Sequence, residues 1–145
     1  MNDYMNLAFE EAKKAFYANE VPVGAIIVHK NEIIAQSHNK KIKDNNVCSH
    51  AEILALIEAT KHIGDWRLLN CDMYVTLEPC PMCAGAILNS RIRRVYIGSE
   101  SNIKSNKNVL YSILNNKDYN HYVEIAYLNN ENCSKILTDF FSSKR

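Results

Sequence analysis

The sequence has no long hydrophobic run and no basic segment near its first residues. No apolar stretch approaches the roughly 20 residues that a membrane-spanning helix needs. Met1 to Tyr4 show neither the charge nor the hydrophobicity of a secretory signal. We therefore expect no signal peptide and no membrane segment.

Cysteines are few, odd in number and scattered. The five cysteines do not form the even, closely spaced set of a disulfide framework. We expect Cys48, Cys71 and Cys133 to be buried or incidental thiols. Free thiols are typical of a reducing compartment, so we expect a cytoplasmic protein.

The net charge is also small. Seventeen Lys and Arg residues against sixteen Asp and Glu residues give +1 at neutral pH, so overall charge does not indicate a nucleic-acid-binding protein. Any RNA contact must use short basic clusters, and clusters of this length are more often solvated surface. The clusters are Lys40 to Lys43, Arg91 to Arg94, and Lys144 with Arg145.

The length and composition suit one compact domain. The chain has 145 residues, of which 47% are hydrophobic. No internal repeat and no linker divides it. We therefore predict a single domain over residues 1–145.

A metal-binding pattern is present. His50-Ala51-Glu52 is followed by Pro79-Cys80-Pro81-Met82-Cys83. One imidazole and two thiolates leave the fourth tetrahedral position of zinc to a water, whose pKa the metal can lower to about 7. We predict that His50, Cys80 and Cys83 bind one zinc ion per chain, with Glu52 as the catalytic acid and base.

The spacings agree with this prediction. Pro81 is favourable in the first turn of a helix, so Cys80 would be its cap and Cys83 would lie on the same face. His50 begins a second helix that Ser49 could cap. Residues two apart on a helix point about 200° apart, so we do not expect His50 and Glu52 to be neighbouring ligands.

Three alternative interpretations stay open from the motif alone. Ser49 to Glu52 is also a capping-box pattern, in which Glu52 only bonds the backbone of Ser49. Cys80 and Cys83 alone could be a redox pair. Cys48 is close enough to His50 to be a fourth ligand, which would close the zinc site and leave a non-catalytic structural module.

Helical and strand patterns alternate after an opening hairpin, with a loop at Glu100–Asn108. The predicted helices run from Asp3 to near Asn19, from His50 to about Ile63, from Cys80 to about Asn89, over Val109–Leu114 and over Cys133–Phe141. The predicted strands are Val23–Val28, Ile33–Ala35, Met73–Leu77, Arg94–Gly98 and Val123–Leu128. This order predicts an α/β fold with three layers, α/β/α, around a mixed sheet of about five strands.

The His-x-Glu and Pro-Cys-x-x-Cys pair is the signature of the zinc nucleobase deaminases. Over nearly its whole length the chain resembles the bacterial tRNA-specific adenosine deaminases, within the cytidine deaminase-like superfamily. The segments that carry this resemblance are Glu20–Ala25, Asp65–Leu68, Tyr74–Ile87, Ser90–Ile92, Asn120–His121, Val123–Glu124 and Asp139–Phe141.

The resemblance implies a function, a partner and further site residues. It implies zinc-dependent hydrolysis of the wobble adenosine in a tRNA anticodon loop to inosine, by a homodimer. It implies that Asn39 contacts the base and that Phe140 or Phe141 contributes to a tRNA surface; Asn39 could equally be a turn residue, and both Phe residues could be core. The zinc signature is shared with guanine and cytosine deaminases, so a free-base deaminase is the alternative.

The chain departs from the family pattern in three places. Asn46-Val47-Cys48-Ser49 stands where the family has Asp-Pro-Thr-Ala, and Tyr122 replaces a usual arginine. The segment from Asn102 to Val109 has no glycine, where the family has a glycine-rich loop that helps to hold RNA. We therefore expect substrate contacts at this segment to differ from those of the family.

Overall fold

A computed structural model describes residues 3–144, which form five helices and five strands. The helices are α1 (Tyr4–Tyr17), α2 (Ala51–Ile63), α3 (Pro81–Ser90), α4 (Asn106–Leu114) and α5 (Glu131–Ser142). The strands are β1 (Gly24–His29), β2 (Glu32–His38), β3 (Cys71–Val75), β4 (Arg94–Ile97) and β5 (Glu124–Tyr127).

The strands form one mixed sheet in the order β2-β1-β3-β4-β5. Strand β1 is antiparallel to β2 and β3, whereas β3, β4 and β5 are parallel. Parallel neighbours need a crossover connection, and α3 and α4 supply the two that are required. The predicted mixed sheet of five strands is confirmed.

The alternation of side chains along β1 shows how the helices are layered. Ile27 belongs to a core cluster shared with α2, α3 and α4, which includes Ala55 and Ile87. Its neighbour Ile26 belongs to a second cluster shared with α1 and α5, which includes Ala8. Three helices therefore cover one face of the sheet and two cover the other, as the predicted α/β/α arrangement requires.

The hairpin between β1 and β2 turns at Lys30 and Asn31. Their φ angles are +51° and +63°, and two left-handed residues in a two-residue loop match the twist of paired strands. Strand β2 is longer than the predicted Ile33–Ala35. It continues to His38 because its polar end still pairs with β1, where His38 lies opposite Gly24.

Two further features concern the cysteines and the lengths of the helices. All five cysteines are free thiols, and Cys71 and Cys133 are buried. Within residues 3–144, none of the helices combines the length and the apolar character needed to cross a membrane.

Gly24 lies where α1 crosses the start of β1. A Cβ atom at this position would lie 2.0 Å from the carbonyl oxygen of Ala8 and 2.5 Å from the nitrogen of Ala12. Because both are backbone atoms, they cannot rotate away. We expect Gly24→Ala to lower the free energy of unfolding by at least about 1–3 kcal/mol, as measured by urea denaturation.

Gly85→Ala is the matched control for this prediction. Gly85 lies inside α3, and its added Cβ would meet nothing within 4 Å. Because alanine is favoured over glycine in a helix, this variant should not lose stability. Equal unfolding midpoints for the two variants would contradict the packing argument.

Candidate metal centre

Two helices begin at one pocket, and each brings a potential ligand there. His50 is the N-cap residue of α2 and Cys80 is the N-cap residue of α3, with Pro81 in the first helical position. Cys83 follows in the first turn of α3 and is buried. The helix start predicted at Pro81 is confirmed, and the backbone directs Cys80 and Cys83 toward His50.

The three potential ligand atoms lie close to one another. The Nδ1 atom of His50 is 3.7 Å from the Sγ atom of Cys80 and 3.5 Å from that of Cys83. All three atoms lie within 4.8 Å of one another. A tetrahedral zinc ion, with its usual bond lengths, holds nitrogen and sulfur ligands roughly 3.5 Å apart. This group could therefore bind a metal ion, and its spacing fits zinc.

Cys48 does not join the group. Among residues 3–144, His50, Cys80 and Cys83 form the only group of three or more His, Cys, Asp or Glu residues whose ligand atoms could share a metal. Cys48 is exposed. The structure thus does not supply the fourth protein ligand on which a closed structural site would depend.

The Cys80 side chain is prepared for metal binding. Hydrogen bonds from Cys83 and from His50 lower the pKa of Cys80 to about 4. The N-terminus of α3 also favours a thiolate, through its partial positive charge. Zinc binds thiolates, so one of the two sulfur ligands needs little deprotonation at neutral pH.

Glu52 is a buried acid in the first turn of α2. Its residue surface is 4% exposed. Burial raises the pKa of Glu52 to about 7. A carboxyl group with a pKa near the working pH can accept and donate protons, which is what general acid and base catalysis requires.

The capping-box interpretation of Glu52 is wrong. The N-cap of α2 is His50, not Ser49. The N–H of Ser49 donates to the carbonyl of Asn46 at 3.1 Å, and its hydroxyl donates to Asp44 at 2.9 Å. Since the Ser49 N–H already has a partner, Glu52 has no capping role there.

Asn39 lines the same pocket and forms hydrogen bonds with two other residues of the pocket wall. Its Nδ2 donates to the carbonyl of Val21 at 3.2 Å, and its Oδ1 accepts from the N–H of Lys41 at 3.1 Å. An amide nitrogen carries two N–H groups, and the bond to Val21 uses one. The second N–H is the part of Asn39 that could meet a ligand.

Sequence reasoning missed Glu78 as a residue of the pocket wall. Its residue surface is 4% exposed, and it lines the pocket with Leu77, His50 and Cys80. The one signal in the sequence was its position directly before Pro79-Cys80, at the end of a buried strand.

The two phenylalanines of α5 have different environments. Phe140 is buried and packs edge-to-face against Phe16, with ring centroids 6.0 Å apart. Phe141 is 45% exposed and borders a cleft with Leu77 and Ile103. Only Phe141 is therefore available to an RNA, whereas Phe140 belongs to the core.

Known proteins resemble this chain along its whole length. Residues 1–145 match the model of the MafB19-like deaminase family. The tRNA-specific adenosine deaminase of Bacillus subtilis (strain 168) is 41% identical over 143 residues, which cover 98% of this chain and 89% of that protein.

Two solved structures have the same fold. One, from a study of A-to-I editing by tRNA:A34 deaminases at the wobble position, superposes with a TM-score of 0.84 and 36% identity over 92% of this chain and 98% of its own. The other is a guanine deaminase from Bacillus subtilis, with a TM-score of 0.67 and 27% identity over 99% and 94%. The similarity is greater to the tRNA-acting protein.

Proposed function

The chain belongs to the MafB19-like deaminase family and to the tRNA-specific adenosine deaminases, and from this we propose that it converts the wobble adenosine of a tRNA anticodon loop to inosine. The observation that carries this choice of substrate is the 41% identity to a tRNA-specific adenosine deaminase over 98% of the chain, and the grouping of His50, Cys80 and Cys83 beside Glu52 supports the chemistry. Hydrolytic deamination needs an acid that transfers protons, ligands for a metal and a pocket for the base, and this site contains all three.

We infer that the metal is zinc, with one ion per chain held by His50, Cys80 and Cys83. One imidazole and two thiolates are ligands that zinc accepts in catalytic sites. When bound, zinc polarises a water molecule and lowers its pKa to about 7. The three-ligand set supports this because it leaves a coordination position for that water.

Glu52 moves the protons of the proposed reaction. Its carboxylate accepts a proton from the attacking water, whose oxygen bonds to C6 of adenine. Glu52 donates this proton to the ring nitrogen N1 and transfers the second water proton to the amino group. The C6–N bond then breaks, so adenosine and water yield inosine and ammonia.

The remaining pocket residues hold the base. Val23 and Leu77 offer apolar surface to the ring, and the free N–H of Asn39 can bond an acceptor atom on the purine edge. Lys41 also lines the pocket, and its positive charge attracts the phosphate backbone of an RNA. A base in a single-stranded loop can be turned out of its stack at lower cost than a base in a duplex.

Incubation with total tRNA tests the proposed function. We expect inosine to accumulate in the tRNA, as detected by nucleoside digestion and mass spectrometry. A tRNA transcript with guanosine at the wobble position is the control and should yield none. Conversion of free guanine to xanthine, without inosine in tRNA, would instead support the free-base deaminase.

Three further proposals accompany this function. We propose that residues 1–145 are a single deaminase domain, which the match of the family model to the whole chain supports. We propose a homodimer on the strength of the resemblance. We also propose that the protein is cytoplasmic, where tRNA is available and cysteines that form no disulfide stay reduced.

A further inference from the structure

The Glu78 carboxylate is buried directly before the segment that carries Cys80. Its Oε1 accepts a hydrogen bond from Asn106 and its Oε2 accepts one from the Tyr127 hydroxyl, both at 2.6 Å. A buried carboxylate is costly without hydrogen bonds, and bonds to a charged acceptor are short and strong. These two contacts therefore fix the Glu78 side chain firmly.

Asn106 holds the metal segment in a second way. Its Nδ2 also donates to the carbonyl oxygen of Pro79 at 3.2 Å, and that carbonyl belongs to the peptide group joining Pro79 to Cys80. Asn106 is itself buried. One amide thus holds both the Glu78 side chain and the backbone immediately before Cys80.

Tyr127 anchors the other side of the same carboxylate. It lies at the end of β5 and pairs with Ile97 of β4, so its backbone is held by the sheet. Burial and the hydrogen bond to Glu78 raise the pKa of Tyr127 above its usual value, which keeps its hydroxyl a donor. Lys107 lies over this ring, 4.3 Å from its centroid.

We propose that Glu78, Asn106 and Tyr127 form a clamp whose function is to hold Cys80 in position for the metal. Asn106 lies in the glycine-free segment of residues 102–109, so this segment determines how firmly the metal is held. The clamp residues are positioning residues, because none of them belongs to the ligand group. The inference rests on the proposed zinc site at His50, Cys80 and Cys83.

Metal release from the full-length, zinc-loaded protein tests the clamp. The rate of zinc transfer to an excess of a chromogenic chelator is measured for the parent and for Asn106→Leu, which keeps similar volume but removes both donated bonds. Loss of groups that orient metal ligands typically costs roughly tenfold to a hundredfold in metal affinity or activity, and we expect release to accelerate by a similar factor.

Asn115→Leu is the matched control. Asn115 follows the other end of α4, and its amide donates to the carbonyl of Val123 at 2.6 Å. Its loss destabilises the same helix without touching the Cys80 segment. Faster zinc release from Asn106→Leu, together with release at the parent rate from Asn115→Leu, supports the clamp. Equal acceleration in both variants would overturn it.

Two other variants separate hydrogen bonding from shape. Asn106→Asp keeps the shape of asparagine but removes the donor and faces a second carboxylate toward Glu78, so its zinc release should be at least as fast as that of Asn106→Leu. Tyr127→Phe keeps the ring and removes only its bond to Glu78, so a smaller acceleration is expected. Parent-like release from both would overturn the clamp, even if Asn106→Leu failed to fold.

Zinc release, measured beside inosine formation in tRNA, distinguishes a failure of the clamp from a failure of the proposed function. A parent that binds zinc but forms no inosine in tRNA would overturn the proposed function, and the release rates would still decide the clamp. A parent that binds no zinc would overturn both.

Discussion

Glu52→Gln should slow inosine formation by about 10²–10⁴-fold, toward the upper end of that range, while leaving the fold and zinc content unchanged. Glutamine has the shape of glutamate but cannot carry a proton. One group performs several proton transfers in the proposed reaction, so its loss affects each of them. Single-turnover rates on a tRNA substrate, with zinc content from atomic spectrometry, measure the effect.

Glu58→Gln is the control for this variant. Glu58 lies on the same helix, is exposed, and accepts a hydrogen bond from the N–H of Gln36 at 2.7 Å, which a glutamine oxygen can also accept. Its activity should equal that of the parent. If Glu52→Gln retains zinc and reacts within tenfold of the parent rate, Glu52 is not the catalytic acid and base.

Cys83→Ser should remove both zinc and activity. A serine hydroxyl is a poor zinc ligand, because it stays protonated at neutral pH where a thiolate forms. Without the metal, the attacking water returns from a pKa of about 7 toward 15.7, so we expect a rate loss of at least roughly a thousandfold. Zinc per chain and inosine yield are measured together on the same preparation.

Cys71→Ser is the matched control, since Cys71 is equally buried but lies outside the ligand group. Its thiol instead donates to the backbone carbonyl of Leu69 at 3.6 Å. This variant should keep its zinc. Full zinc occupancy in Cys83→Ser would show that Cys83 is not a ligand.

The grouping of His50, Cys80 and Cys83 was predictable because local rules determine much of it. Pro81 specifies a helix start and Cys80 and Cys83 share one face of that helix, so two ligands follow from five consecutive residues. Each ligand segment follows a predicted strand, which places His50 and the segment from Cys80 to Cys83 against one sheet. The alternation of elements was sufficient to predict the mixed α/β/α fold.

The start of α4 was not predictable in this way. The helix begins at Asn106, whereas the sequence predicted a start at Val109. The prediction was late because the polar residues of the first turn show no apolar period. What holds that turn is the bond from Asn106 to Glu78, 28 residues away in the sequence. A contact of that kind leaves no local pattern, which is also why the clamp was missed.

The cap of α2 was mistaken for a related reason. Ser49 is a better N-cap residue than histidine by its side chain, but its hydroxyl is bonded to Asp44 in the preceding loop. The helix therefore begins one residue later, with His50 in extended backbone conformation. A hydrogen bond within the preceding loop thus overrode the N-cap preference of Ser49, and Glu52 lines the pocket instead of closing a capping box.

His50 and Cys80 begin two helices and are thirty residues apart in the sequence, so the ligands come together only in the folded chain. The stability of the fold would therefore depend on the concentration of the metal ion. An ion that binds only the folded chain adds about 2.7 kcal/mol to its unfolding free energy when its free concentration is a hundredfold above its Kd. The melting temperature of a preparation would then rise with the free zinc concentration. Two batches of identical sequence but different metal occupancy would melt at different temperatures, and only metal-free samples would report the stability of the polypeptide itself.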